Sequence, residues 1–397
     1  MLSVEEAIAA ILDGADALTP ETVSLHDLSS RIAAEDIHAL ITQPPFAASA
    51  MDGYAVRFAD VSIGAELKVI GESPAGSPFV GKVGEGEAVR IFTGGAVPHG
   101  ADHVIIQEDV IRDGAQIRIS DAQDKPGNIR PAGIDFKKGD VLIRAGERMH
   151  DIHGAILAAA NISRISVVRR PKIALFSNGD ELVEPGAELN PGQIVNSNHY
   201  ALSAMIRAWG GEPDYLGRAS DDENAICSFF RKASDADLIV PIGGASVGDY
   251  DFVKSAFKKE GGDIVFEKVA VRPGKPTWFG KFGDARVIGL PGNPASAIVT
   301  AALFVQPLVR RLAGESKVGA PVFHQAELLT PLKANSARES YLRSEAVRAS
   351  TGLAVSAAAN QDSSLLSPFS KANCLIRRLA NAKAAANGDT VEIVWLR

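Results

Sequence analysis

Cysteine is nearly absent. Cys227 and Cys374 are the only two in 397 residues, far apart and without a C-x-x-C or a Cys/His metal spacing. This argues against a disulfide framework and a structural zinc site, and it fits a reducing cytoplasm. Positive charge is also short: the formal net charge is −7, so no global basic field serves nucleic acid or an anionic membrane. Any anionic ligand must be met by a local basic pocket. Long apolar runs are missing too. The most apolar stretch, residues 297–309, contains Thr300, Gln306 and Pro307 and falls well short of the about 18 residues a membrane span needs. The opening MLSVEEAIAAILDG places acids where a secretory signal needs positive charge. No internal repeat, Walker A loop, G-x-G-x-x-G, H-E-x-x-H or C₂H₂ spacing occurs. Ser255–Lys258 spells S-x-x-K without its partner motifs and reads as helix surface.

What remains is globular and rich in turns, with 46% hydrophobic residues, 37 Gly and 21 Pro. The length predicts about two to four domains. Residues 1–14 read as an amphipathic helix. From Pro44 to Arg148, short Val/Ile runs separated by Gly and Pro predict a β-rich region, followed by a helix over 151–161. From Pro171 strands alternate with helices: KIALFS, EPDYLG, DLIVPI, DIVFEKVAV and RVIGL against helices over 198–209, 222–234, 251–259 and 294–313. That alternation predicts a doubly wound, mostly parallel α/β sheet. Beyond Pro321, AELL, SYLRSEAV, LAVSAA, CLIRRL and VEIVWL point to a small all-β domain. The expected division is a β-rich N-terminal region over 1–168 with two subdomains serving linkage and dimerisation, an α/β domain over 169–317, and a C-terminal β domain over 318–397.

Gly244 to Gly248 spells G-x-S-x-G after an apolar strand, the spelling of a hydrolase nucleophile elbow. Ser246 does not fit that role. Only His324 follows it, past the domain boundary, and two acids intervene before the next helix. A phosphate-binding reading is better. Gly243, Gly244 and Gly248 allow backbone N–H groups close to an anion. Asn293 is a suitable N-cap and Pro294 a suitable first helical residue, so that helix offers its N-terminus, with Ser296 adding a hydroxyl. Arg272 and Lys275 supply positive charge. Asp249 and Asp251 fit such a site if a divalent cation lies between them and a phosphate. Four polar loops, at 177–181, 243–251, 272–275 and 291–294, converge beyond the carboxyl ends of strands, where doubly wound sheets bind ligands. Further unusual clusters lie at 43–56, 90–98 and 128–135.

PPFAASAMDGYAVR, RIFTGGAVPHGAD, FSNGDEL, GQIVNSN, GGASVGDYDF, VAVRPGKPTWFG and GLPGNPASA, in this order, resemble the molybdopterin molybdenumtransferase family, that of MoeA and the E domain of gephyrin. The resemblance runs from about residue 3 to 394. It implies that adenylylated molybdopterin is cleaved, AMP leaves and molybdate enters the dithiolene, with Mg²⁺ assisting. It further implies functional roles for Asp52, Thr93, Arg130, Asp135, Glu181, Asp251 and Lys275, with Pro291 and Pro294 matching directly. Asp221 (with Asp222 as rival), Asp249 and Asp251 are the implied metal ligands, and Ser246 is an oxyanion donor. Arg272 stands where the family often has Lys. Arg338 and Ser363 keep the molybdate-binding residue types, while Asp362 places an acid beside that anion. The resemblance implies a homodimer whose clefts join the α/β domain of one chain to N-terminal segments of the other. The preceding adenylyltransferase and apo-molybdoenzymes are further expected partners. A molybdopterin-binding scaffold and a tungstate-inserting paralogue are the alternative readings.

Overall fold

The computed structural model describes residues 1–244, 252–319, 321–350 and 352–396. At its centre lies a six-stranded sheet in the order Glu212–Ala219, Lys172–Asn178, Leu238–Ile242, Ala285–Gly289, Trp278–Phe282, Asp263–Phe266. The first four strands are parallel, and Trp278–Phe282 runs antiparallel to both its neighbours. Leu238–Ile242 is buried at every position, as a strand covered on both faces must be. Alternate residues serve opposite faces. Ile173 and Leu175 pack with Leu202, Ile206 and Leu308, while Ala174 and Phe176 pack with Ile226, Phe230 and Phe257.

Three local readings change. Trp278–Phe282 is a strand that the sequence pattern did not single out, because its Gly280 breaks the alternation. DIVFEKVAV is not one strand: Asp263–Phe266 stays in the central sheet, whereas Val271–Arg272 pairs parallel with Glu339–Ser340 of the C-terminal sheet. The exposed Glu267 and Lys268 between them mark the exit. The helix after Pro294 is continuous to Leu312 but passes through a π segment at Ala301–Val305. Its 19 residues, with mean hydropathy 1.3, are long and apolar enough to cross a membrane, yet 78% of that window is buried inside the protein. It is a core helix.

The N-terminal helix, Val4–Leu12, opens with a capping box between Ser3 and Glu6. Its buried Val4, Ala7, Ile8 and Ile11 join the same cluster as Leu308 and Leu312, and Leu2 bridges Val269. This helix therefore packs with the α/β domain and not with the β-rich region that follows it. Periodicity showed its apolar face but not a partner nearly 300 positions away.

The rest of the N-terminal region is nested. Strands Pro20–Ser24 and Arg164–Val168 pair antiparallel and share a core of Leu28, Ile37, Ile143, Leu157 and Val167. Within that unit a second, six-stranded sheet occupies residues 53–119, joined through the paired strands Ala48–Ser49 and Ile129–Arg130. In the C-terminal region five strands, from His324–Leu328 to Thr390–Trp395, form a sheet that an extra pairing of Glu339–Ala349 with Cys374–Arg378 closes into a barrel.

Ile11 is 0% exposed. Ile11→Ala is expected to destabilise the α/β domain by about 2–5 kcal/mol, read as a lowered urea midpoint of its unfolding transition. A loss below about 1 kcal/mol would mean that the helix is an appendage.

Candidate functional site

A cavity of about 600 Å³ opens where the α/β domain meets the C-terminal barrel. One wall is the loop from Arg272 to Pro276, carried there by the Val271–Arg272 pairing. Gly274 makes this loop possible: its φ is +107°, and a Cβ there would sit 2.1 Å from Thr300 Cγ2. Arg272 and Lys275 are exposed on this wall. Opposite stand Arg338, whose Nη1 donates to the Val271 carbonyl at 3.3 Å, and the Gln361–Ser363 loop. Ser296 closes the floor from the first turn of the core helix. Five predicted residues, Arg272, Lys275, Ser296, Arg338 and Ser363, thus line one cavity.

The start of the core helix departs from expectation. Asn293 takes the N-cap position and Pro294 follows as its first residue, but the Asn293 side chain makes no capping bond. Its Nδ2 donates to Ser363 Oγ at 3.2 Å, and the Ala295 N–H donates to the Ser363 carbonyl at 2.9 Å. A barrel residue, rather than the predicted side chain, satisfies part of the helix terminus. Pro291 is buried, and a Cβ on Gly292 would sit 3.5 Å from the Cα of Gly243, whose N–H donates to the Leu290 carbonyl at 3.0 Å. Gly244 has φ +65°, and a Cβ there would sit 2.3 Å from Val253 Cγ2, so no other residue fits without displacement. Ser246, Asp249 and Asp251 lie outside the described residues.

Beside Gly244, the Asn178 amide Nδ2 donates to Asp221 Oδ1 at 2.7 Å, and the Asp180 N–H donates to Asp221 Oδ2 at 3.3 Å. The rival Asp222 is occupied otherwise, capping the helix Glu223–Lys232 through Ala225 N–H. Glu181 is exposed on the same loop. Among the described residues no group of three or more His, Cys, Asp and Glu side chains is placed to hold a metal ion. Asp221 is the one predicted metal ligand among them, and a hard, acceptor-only carboxylate fits Mg²⁺, which is commonly held by one or two carboxylates with water and substrate phosphates.

The remaining predicted residues sit elsewhere. Asp52 Oδ1 accepts from the Thr93 N–H at 2.7 Å and the Thr93 hydroxyl at 2.8 Å. These two bonds, helped by the Arg90 charge, hold the Asp52 carboxyl below its ordinary range. Ser49 binds the adjoining Gly94–Gly95 turn and pairs with Ile129, which brings exposed Arg130 into the same neighbourhood. Asp135 lies on a turn tied to Gln43. Asp52, Thr93, Arg130 and Asp135 do not line the cavity.

Lys333 and Arg378 also line the cavity and were missed; neither stands in a recognisable motif. Asp362 is the lone acid among the described lining residues. Its Oδ1 accepts from Ser364 N–H at 2.9 Å and Ser364 Oγ at 2.7 Å, which lowers its pKa with help from Arg343. The carboxylate is therefore committed to its own turn.

Three family models match in succession: the MoeA N-terminal region (domain I and II) over residues 2–161, a "Probable molybdopterin binding domain" over 174–311, and the MoeA C-terminal region (domain IV) over 325–396. The chain is 37% identical over 397 residues to a molybdopterin molybdenumtransferase of Haemophilus influenzae, covering 99% of this chain and 98% of that one. It is 39% identical over 332 residues to a protein of the same name from Nostoc sp., covering 81% and 76%. The crystal structure of a molybdopterin biosynthesis moea protein from Pyrococcus horikosii superposes with a TM-score of 0.86 at 33% identity, over 100% of this chain and 99% of that one. Identity above 30% along nearly the whole length and the three successive domain matches place this chain in the MoeA family of molybdopterin molybdenumtransferases.

Proposed function

We propose that this chain inserts molybdate into adenylylated molybdopterin with release of AMP, acting in the cytoplasm as a homodimer. One observation carries the reading. Arg272, Lys275, Lys333, Arg338 and Arg378 surround a single cavity whose only described acid is tied to Ser364. In an acidic chain such a concentration of cations suits a small oxyanion beside a phosphoanhydride.

The chemistry needs no protein nucleophile. An oxygen of molybdate or water attacks phosphorus, the phosphoanhydride P–O bond breaks, and its electron pair leaves with AMP. Arg272 and Lys275 stand where charge develops on the phosphoryl oxygens. Arg338 and the Ser363 hydroxyl hold the oxyanion, and Asn293 orients Ser363. Mg²⁺, when bound, neutralises phosphate charge; Asp221 would hold it. That Asp52 and Thr93 do not line this cavity supports a cleft completed by a second copy of the chain. In that cleft Asp52 is kept anionic by its two bonds to Thr93.

AMP release from adenylylated molybdopterin is expected to depend on molybdate. Arg338→Ala is expected to raise the half-saturating molybdate concentration roughly 10- to 100-fold, the loss of one charge-assisted bond, whereas Lys275→Ala, which removes the charge facing the phosphoryl oxygens, should abolish AMP release at any molybdate concentration. Release that ignores molybdate would overturn the reading. Mixing equal amounts of Asp52→Ala and Lys275→Ala chains, each inactive alone, should restore about a quarter of wild-type activity. Half the dimers are then mixed, with one intact cleft of two. No recovery after verified exchange would mean that the cleft is built within one chain.

The depressed Asp52 pKa gives a signed pH expectation. The carboxylate remains charged down to and below its ordinary value of about 3.9, so it contributes no acidic limb to the rate profile between about pH 5 and 8. Thr93→Val should raise its pKa, measurable by carboxyl-carbon NMR titration.

A further inference from the structure

Arg343 is the second-largest side chain with under 2% exposure among the described residues, and it points away from solvent inside the barrel wall. A buried guanidinium must have its donors satisfied, and here the partners come from one loop. Nη1 donates to the Leu365 carbonyl at 2.7 Å. Nη2 donates to the Asp362 carbonyl at 2.9 Å and the Asn360 carbonyl at 3.3 Å, and Nε donates to Gln361 Oε1 at 3.3 Å. Gln361 returns the tie, its Nε2 donating to the carbonyls of Arg343 at 3.0 Å and Ala358 at 2.9 Å. The face of the guanidinium lies 5.5 Å from the Phe369 ring. With these donors occupied, Arg343 is not a ligand of the cavity, and it is absent from the cavity's lining.

Its effect lies in the orientation of the loop. In a trans peptide the C=O and the N–H point in opposite directions. The Asp362 carbonyl faces Arg343, so the N–H of the same peptide, that of Ser363, points away from Arg343. This N–H has no hydrogen-bond partner among the described residues. On the far side of Ser363 its carbonyl receives the Ala295 N–H and its hydroxyl the Asn293 amide. Ser363 is thus held between a buried cation behind it and the core helix in front, at the cavity wall.

We propose that Arg343 is a positioning residue for the oxyanion: by drawing three carbonyls of the 360–365 loop onto its guanidinium, it turns the Ser363 N–H and hydroxyl toward the cavity as a donor pair. This rests on the reading of the cavity as the molybdate site. Lysine keeps the charge but presents no planar fork, so it cannot hold three carbonyls in this arrangement.

The experiment compares wild type, Arg343→Lys and Ser363→Ala as full-length proteins. Three quantities are measured: calorimetric molybdate affinity, the affinity for adenylylated molybdopterin without molybdate, and the thermal unfolding midpoint. Arg343→Lys is expected to weaken molybdate binding roughly tenfold or more while pterin affinity stays within twofold. Its molybdate loss should exceed that of Ser363→Ala, which keeps the backbone N–H. If Arg343→Lys does not fold, Gln361→Met removes the reciprocal tie and carries the same expectation. Molybdate affinity equal to wild type in the folded variant overturns the proposal, as does an equal loss for both ligands. Wild-type protein that binds molybdate but releases no AMP would sink the insertion reading alone. Wild-type protein that binds no molybdate would sink both.

Discussion

The site depends on one short pairing. Val271 and Arg272 leave the α/β domain and run parallel to Glu339 and Ser340 of the barrel, with the Glu339 N–H on the Ala270 carbonyl at 3.1 Å. Two residues of ladder would hold little by themselves. Their importance is geometric, since they set Arg272 and Lys275 on one wall and Arg338 on the other, and Arg338 is itself bound to the Val271 carbonyl. The contact between Ser363 and the core helix closes the opposite corner. The cavity is thus framed at two points by bonds between domains, so its width follows from how they dock.

Electrostatics then explains how an acidic protein can receive an anion. The cations around the cavity are kept apart from carboxylates by engaging the acids nearby. Asp362 is bound by Ser364 at 2.7 Å, and Glu339, between the lining residues Arg338 and Ser340, accepts from Arg377 Nε at 2.6 Å and the Tyr341 hydroxyl at 2.7 Å. Lys333, Arg338 and Lys275 remain facing open space. A net charge of −7 describes the chain but not this concavity, where low-dielectric walls focus the local field.

Much of this was legible from residue order alone. Strand–helix alternation after Pro171 marked the doubly wound sheet, and GLPGNPASA marked the turn into the core helix. Arg272, Lys275 and Ser296 read as anion-binding residue types in their own loops, whereas Arg338 and Ser363 stand out only through the family resemblance. What escaped were partners distant in sequence. The helix Val4–Leu12 carries a readable apolar face, but nothing local reveals that Leu308 and Leu312 cover it. DIVFEKVAV looks continuous because each half is apolar, while the two halves belong to different sheets. Asn293 has the right side chain for a cap, and Ser363, 70 positions on, competes for it. Arg343 reads as an ordinary polar residue in a strand, because its value lies in carbonyls that carry no side-chain signature.

The nesting of the N-terminal region has a mechanical consequence. The outer unit leaves the α/β domain after the helix Val4–Leu12 and returns before Lys172, and the inner sheet leaves and returns through Ala48–Ser49 and Ile129–Arg130. Each lobe hangs from its host by two covalent spans instead of one. Such a double tether permits bending about the line joining its attachment points and resists rotation about the lobe's long axis. A lobe carrying Asp52 and Thr93 can therefore swing through an arc while keeping the same edge forward.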